Sequence, residues 1–196
     1  MAKTEEACLR EWRHGLLKQV RGEVLEVGAG TGANIKFYSD NITKLVLTEH
    51  DKHMRKLLKE KVDNFRPENV SVISGTVEQI EADNESFDYV VSSLVFCSVK
   101  DLKACLSEIR RVLRPGGCLV FLEHVAAANG TSRRRWQNII TPVWKTFMGN
   151  CHLNRETEKA IVTVGFDIIQ IERESMRKAP AIVRPTIRGI AKKPNM

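Results

Sequence analysis

The chain reads as an α/β protein: a mostly parallel, seven-stranded sheet with helices on both faces and an antiparallel hairpin at one edge. Three observations predict it. Apolar, β-branched runs of strand length alternate with segments whose apolar residues recur at helical spacing, the pattern of parallel strands joined by helical crossovers. The first such run, Val24-Leu25-Glu26-Val27, passes into Gly28-Ala29-Gly30-Thr31-Gly32, with glycine at every second position. The next, Leu45-Val46-Leu47, is followed shortly by Glu49, seventeen residues past Gly32.

The elements follow in order. Within residues 1–20, a lead-in helix over 5–19 carries Leu9, Trp12, Leu16 and Leu17 on one side. Strand one covers about 23–28, and after the glycine turn a helix is expected over about 32–38. Strand two is about 44–49. Asp51 caps a helix in which Met54, Leu57, Leu58, Val62 and Phe65 share a face, and Pro67-Glu68-Asn69 ends it. Val70 to Ile73 make strand three, and Phe87 to Ser92 strand four. Asp101 caps a helix with Leu102, Cys105, Leu106, Ile109 and Leu113 inward and Arg110, Arg111 and Arg114 outward. Pro115-Gly116-Gly117 stops it ahead of strand five, Cys118 to Leu122. Helices near 133–147 and 154–163 precede the hairpin strands, about 166–173 and 182–191.

At 196 residues, with no repeats, low-complexity tract or linker, the chain suits one domain, 1–196, with one core. No run approaches the roughly 18 apolar residues of a membrane span. The start, Met1-Ala2-Lys3-Thr4-Glu5-Glu6, lacks the apolar stretch of a signal peptide, so a soluble, intracellular chain is expected. The five cysteines (Cys8, Cys97, Cys105, Cys118, Cys151) are odd in number and lack Cys-x-x-Cys or Cys/His ligand spacing. That argues against a disulfide framework and against zinc; no metal site is expected, and most of the thiols read as small buried hydrophobes.

A net charge of +7 permits an anionic partner. Arg133-Arg134-Arg135 is either a solvated helix face or a peripheral contact with membrane headgroups or nucleic acid. No aromatic residues interleave with the basic ones, so no nucleic-acid partner is expected.

Spacing discriminates among ligands for the glycine turn. Dinucleotide loops use G-x-G-x-x-G to aim a helix N-terminus at a pyrophosphate. Here the period is G-x-G-x-G, with Glu26 two residues ahead of the first glycine. A carboxylate there repels a diphosphate and suits a ligand carrying an ammonium and a sulfonium. Glu49 stands where an acid grips a ribose diol. S-adenosyl-L-methionine has both cations and no phosphate, and is the expected cofactor; a purely structural glycine turn is the alternative.

The glycine loop, Phe87-Asp88-Tyr89-Val90-Val91 and Leu113-Arg114-Pro115-Gly116-Gly117 together resemble the class I S-adenosylmethionine-dependent methyltransferases, over nearly the whole chain. The resemblance implies their Rossmann-like fold. A narrower likeness, to the methyltransferase-like 7 group, lies in Thr31 to Tyr38, Leu94 to Lys100, Glu123-His124-Val125-Ala126-Ala127, Cys151 to Glu156 and Val183-Arg184-Pro185. That group methylates alkyl thiols and is usually held to the endoplasmic reticulum or lipid droplets by an apolar N-terminal segment. With little sequence ahead of its first strand, this chain is expected to be either a relative without that segment or a truncated form. Bacterial phospholipid N-methyltransferases carry a similar glycine loop and an Asn-x-x-x-Tyr pattern, here Asn34 to Tyr38. The implied activity is methyl transfer to a small lipophilic acceptor, first a thiol. The alternatives are phospholipid or other small-molecule N- or C-methylation, or cofactor binding without turnover. RNA and protein acceptors rank lower, because Ser92-Ser93-Leu94-Val95 stands where an Asn-Pro-Pro-Tyr-type motif would be.

The resemblance also implies residue roles. Glu26 orients the methionyl ammonium. The backbone at Gly28, Ala29 and Gly30, in the loop closed by Gly32, passes beneath the methionyl part and the ribose. Glu49 accepts the ribose hydroxyls and His50 covers the adenine. Thr76, followed by Val77, stands where the family has an acid for the adenine amino group. Ser93 and Leu94 lie near the transferable methyl. His124, ending strand five, is a candidate general base with a neutral-range pKa, or a histidine capping the strand. Cys97 edges the acceptor pocket or packs as an apolar thiol. The helices within 132–163 form a substrate lid in which Trp136, Trp144, Phe147 and Met148 are expected mainly to pack the core. His152 and Arg155 are expected to face solvent.

Overall fold

The computed structural model describes residues 2–65 and 68–195. Strands β1 (Gly22–Val27), β2 (Ile42–Thr48), β3 (Val70–Ile73), β4 (Phe87–Ser93), β5 (Leu113–His124), β6 (Asp167–Ser175) and β7 (Pro185–Lys192) form one sheet. Its order is β3-β2-β1-β4-β5-β7-β6. The first five strands run parallel, while β7 pairs antiparallel with both β5 and β6. Chain order reverses between β1 and β4, the switch point at which open α/β sheets hold ligands beyond the strand ends.

The strands are apolar on successive residues because both faces are covered. Val24, Leu45, Leu47, Val91, Val120 and Leu122 pack on one face with Leu9, Trp12, Leu16, Leu17, Leu58 and Val62. Leu25, Val27, Val46, Val90, Leu119 and Phe121 pack on the other with Cys105, Leu106, Ile109, Ile161 and Phe166. Residues one apart therefore serve opposite layers, and Glu26 falls on the face covered by the N-terminal helix.

That helix comes in contiguous pieces: α1 (Ala2–Thr4), a π-helical turn (Glu5–Leu9) and α2 (Arg10–Leu17). The others are α3 (Lys52–Phe65), α4 (Leu102–Val112), α5 (Ser132–Phe147) and α6 (Thr157–Thr163). Among the described residues no helix is long and apolar enough to cross a membrane.

Several expectations are corrected. The helix over 32–38 shrinks to a 3-10 turn, Ile35–Phe37. Gly32 sits at φ +75° and Tyr38 is extended, so neither end continues a helix. In α3, Asp51 does cap the first turn, but Met54 and Leu57 are exposed and the contact stripe narrows to Leu58 and Val62, one turn apart. Pro67 and the side chain of Phe65 lie outside the described residues. Pro115-Gly116-Gly117 does not stop α4, which already ends at Val112 with Leu113 extended. Those residues sit inside β5, where the pairing with β4 slips between Phe87↔Leu113 and Tyr89↔Cys118. Arg110, Arg111 and Arg114 are all half-buried rather than outward. Arg111 binds Glu108 and the carbonyls of Ile80 and Ala82, and Arg114 binds Asp88 at 2.7 Å and Glu23 at 3.1 Å. The second helix of the expected lid begins at Thr157 rather than 154.

Candidate active site

The C-terminal edge of the sheet carries two adjoining clusters. The first is built on β1 and β2. Glu26 is buried, and its two carboxylate oxygens accept from Asn34 Nδ2 at 2.9 Å and from the Tyr38 hydroxyl at 2.7 Å. Asn34 is itself held by Arg13, whose guanidinium donates to Oδ1 at 2.5 Å, and its amide also reaches Ser93 Oγ at 3.2 Å. Burial pushes the Glu26 pKa up to about 7, against the opposing pull of Tyr38, Arg13 and Asn34. The Asn-x-x-x-Tyr pattern is thus a clamp on Glu26, two donors delivered by one tight turn.

The three glycines of the loop differ. A Cβ at Gly28 (φ +61°) would meet Val95 at 2.7 Å, and one at Gly32 would meet Ile35 at 2.5 Å and Leu58 at 2.9 Å. Gly30 (φ +57°) faces open space, with nothing within 4 Å. Two glycines let the loop pack and the third leaves bare peptide at an open surface. The loop is fixed from β2. Ala29 N donates to Thr48 O at 2.8 Å, Gly28 N to Thr48 Oγ1 at 3.4 Å and Gly30 N to Glu49 Oε2 at 2.8 Å. Glu49 Oε1 accepts from Asp51 N at 2.8 Å and lies 3.2 Å from His50 Nδ1, whose ring is otherwise exposed at the rim. On the loop after β3, Thr76 is exposed and bridges Gln79, while Val77 is buried in the core.

The second cluster lies beyond β4 and β5. Leu94 takes φ +60°, uncommon for a branched side chain, with its N–H bonded to Leu122 O at 2.8 Å. Glu123, fully buried, grips the same turn: it accepts from Ser92 Oγ at 2.7 Å and from the Val95 and Phe96 N–H groups at 3.1 Å. Burial raises its pKa to about 7. Cys97 is buried, and Cys151 Sγ stands 3.3 Å from His124 Nε2. The Cys97 thiol is raised by its hydrogen bond to Cys151 and by burial, whereas that same bond holds Cys151 below the ordinary thiol range.

His124 departs from its expected chemistry. Burial lowers its pKa to about 4, and among the described residues Nδ1 has no hydrogen-bond partner. Burial thus disfavours its protonation, against the neutral range expected, and its Nε2 meets the Cys151 thiol rather than a backbone group. His152 and Arg155 likewise do not face solvent. His152 N donates to Cys97 O at 2.7 Å, Asn150 Nδ2 to Ser98 O at 2.8 Å, and the half-buried Arg155 to Val99 O. This strap brings Cys151 to Cys97, an approach that linear spacing could not reveal.

Helix α5, expected to belong to a substrate lid, is turned over relative to expectation. Its buried face is polar: Gln137 donates to Ile182 O at 3.0 Å and Val125 O at 3.3 Å and accepts from Ala127 N at 2.7 Å. Trp136, Phe147 and Met148 are exposed rather than packed in the core, beside Ile139 and Val143 on the same helix. Trp144 is half-buried. Asn34, Tyr38, Arg13, Glu123, Gln137 and Cys151 are therefore site residues to which no role was assigned from the sequence. Asn34, Tyr38 and Glu123 sat inside motifs already visible there.

A family model described as a methyltransferase domain matches residues 25–121. Human thiol S-methyltransferase TMT1A is 37% identical over 172 residues, 87% of this chain and 70% of that protein. Human thiol S-methyltransferase TMT1B is 39% identical over the same shares. Geranyl diphosphate C-methyltransferase from Streptomyces coelicolor shares the fold, with TM-score 0.74 and 13% identity, over 96% of this chain and 77% of that one. With the sheet order, the clamped Glu26 and the packed glycine loop already described, these likenesses identify the chain as belonging to the class I S-adenosylmethionine-dependent methyltransferases, in the methyltransferase-like 7 family.

Proposed function

We propose that the chain transfers a methyl group from S-adenosyl-L-methionine to a small lipophilic thiol. The observation that carries the reading is the bare, open peptide at Gly30, locked by Glu49 between two tightly packed glycines. A Cβ there would fill the cradle, so the residues fit the cofactor. Bound, it supplies a methyl on a sulfonium, already a good leaving group.

The chain's residues supply position and exclusion of water. Glu49 would take the ribose hydroxyls, its oxygens retaining acceptor capacity beyond the bonds to Gly30 and Asp51. Glu26, kept above the usual carboxylate range by burial, would ionise fully on meeting the methionyl ammonium. His50 and Thr76, with Val77 behind, would border the adenine. Ser93 and the strained Leu94 would stand at the reacting end, with Cys97 and His124 on the acceptor side. An imidazole with pKa about 4 is a poor proton acceptor for a thiol near 8.5, so His124 acts in positioning. The rate should then rise with pH through the acceptor thiol's own range.

The exposed apolar face of α5, preceded by Arg133 to Arg135, favours one rival, an amine-bearing phospholipid as acceptor. Incubation with methyl-labelled cofactor tests both, using a panel of alkyl thiols beside phosphatidylethanolamine vesicles. Label in the thioether product is expected. Label in the lipid alone would replace the thiol reading, and label in neither would overturn both.

A further inference from the structure

Three soft donors converge where the sequence predicted no metal. Cys97 lies on the loop after β4, His124 is the last residue of β5, and Cys151 follows α5. Their ligating atoms all lie within 4.8 Å of one another, with Cys151 Sγ 3.3 Å from His124 Nε2. In a tetrahedral zinc site, with Zn–S near 2.3 Å and Zn–N about 2.0–2.1 Å, neighbouring donors stand roughly 3.5–3.8 Å apart. Small rotations of side chains would seat an ion.

We infer that Cys97, His124 and Cys151 form a binding site for a soft divalent cation, zinc foremost. Two thiolates and a neutral imidazole around a divalent ion sum to zero net charge, which a buried position tolerates. On binding, the two thiols release their protons to solvent. His124 is buried with Nδ1 unpartnered, and its other ring nitrogen meets only a thiol. A structural histidine so deeply placed would ordinarily be hydrogen-bonded. The cluster is also held in place: the 150–155 strap ties the Cys97 loop through His152, Asn150 and Arg155. Three protein ligands leave a fourth position for water or an incoming ligand, the arrangement of reactive rather than structural zinc. With an ion present, His124 is a ligand, and its role on the acceptor side becomes holding the metal.

The test uses the full chain, reduced and stripped with chelator, and the metal alone. Zinc is titrated in competition with a chromogenic chelator, and cobalt(II) is titrated spectroscopically. One ion per chain is expected, with thiolate-to-cobalt charge-transfer bands and the intense visible bands of a tetrahedral site. Cys151→Ser, at a half-buried position, should weaken binding about a hundredfold or more. Cys118→Ser, on β5 but outside the cluster, should not. His124→Cys restores a soft donor and should retain the charge-transfer bands, a rescue that a merely structural role would not give. The proposal is overturned if the wild-type chain takes up no stoichiometric ion. It is equally overturned by a pale octahedral cobalt spectrum without thiolate bands, or by wild-type affinity in Cys151→Ser. None of these readouts requires methyl donor or acceptor, so they separate from the methyl-transfer reading.

Discussion

Where β1 and β2 end, the loop is held by main-chain donors on buried oxygens: Gly30 on Glu49, Ala29 and Gly28 on Thr48, with Glu26 clamped from beneath. Beyond β4 and β5 the architecture is different. There buried Glu123 grips the inner turn after β4, side-chain straps from 150–155 and Gln137 on α5 hold the outer loops, and apolar surface on α5 is left bare. The first region is preorganised, as the proposed cofactor site requires. The second has a fixed inner turn and an outer edge of exposed apolar side chains, which the proposed acceptor role would use. The contrast teaches that one sheet edge can hold a rigid half-site and one with an apolar outer edge side by side.

Breaking the rigid half should cost most. Gly32→Ala places a Cβ against Ile35 and Leu58 at a left-handed position. Strain of about 1–2 kcal/mol and overpacking of about 1–3 kcal/mol predict a loss of roughly 2–5 kcal/mol, read from urea midpoints.

The two buried carboxyls sharpen the comparison, one in each half. Glu26 and Glu123 both have folded pKa values near 7, above their ordinary 4.5. The folded state therefore holds their protons more tightly than the unfolded chain. Their stabilising contribution is complete below about pH 4.5 and is lost as pH rises through about 7. At about 1.4 kcal/mol per pKa unit, each withdraws up to roughly 3 kcal/mol across that window. Without cofactor, urea midpoints should fall between pH 4.5 and 7.5. Glu26→Gln, whose amide can still accept from Asn34 and donate to Tyr38, should remove about half the slope.

On the side with the apolar edge the effect should be smaller and local. Gln137→Ala leaves the Ala127 N–H and the Val125 and Ile182 carbonyls unmatched, costing about 1–3 kcal/mol. Hydrogen exchange should rise in α5 while the glycine loop stays protected.

The same division marks what could be read from the residues. Strand runs, glycine spacing and the acids at positions 26 and 49 are local patterns, and the sheet followed from them with its hairpin edge. The turn at 35–37 was misjudged because its conformation is set by Asn34 and Tyr38 reaching back to Glu26, a tertiary demand invisible to helical periodicity. The face of α5 was misjudged because apolar spacing does not say which side docks, and here Gln137 decides it. The approach of Cys151 to Cys97 is not legible because it depends on its own 150–155 strap docking on a loop more than fifty residues earlier in sequence. Its place at the end of strand five singles out His124, but only burial reveals how far its basicity is lowered.

The open peptide at Gly30 is the proposed seat of the cofactor. Calorimetric titration of S-adenosyl-L-methionine into the wild-type chain and into Gly30→Ala tests it directly. Open space around a Cβ at that position limits the stability cost to about 1–2 kcal/mol of backbone strain. The account predicts one site in the wild-type chain and at least about a tenfold loss of affinity, roughly 1.4 kcal/mol, in a variant that remains folded. Equal affinity in the two chains, or no uptake by the wild type, would contradict it.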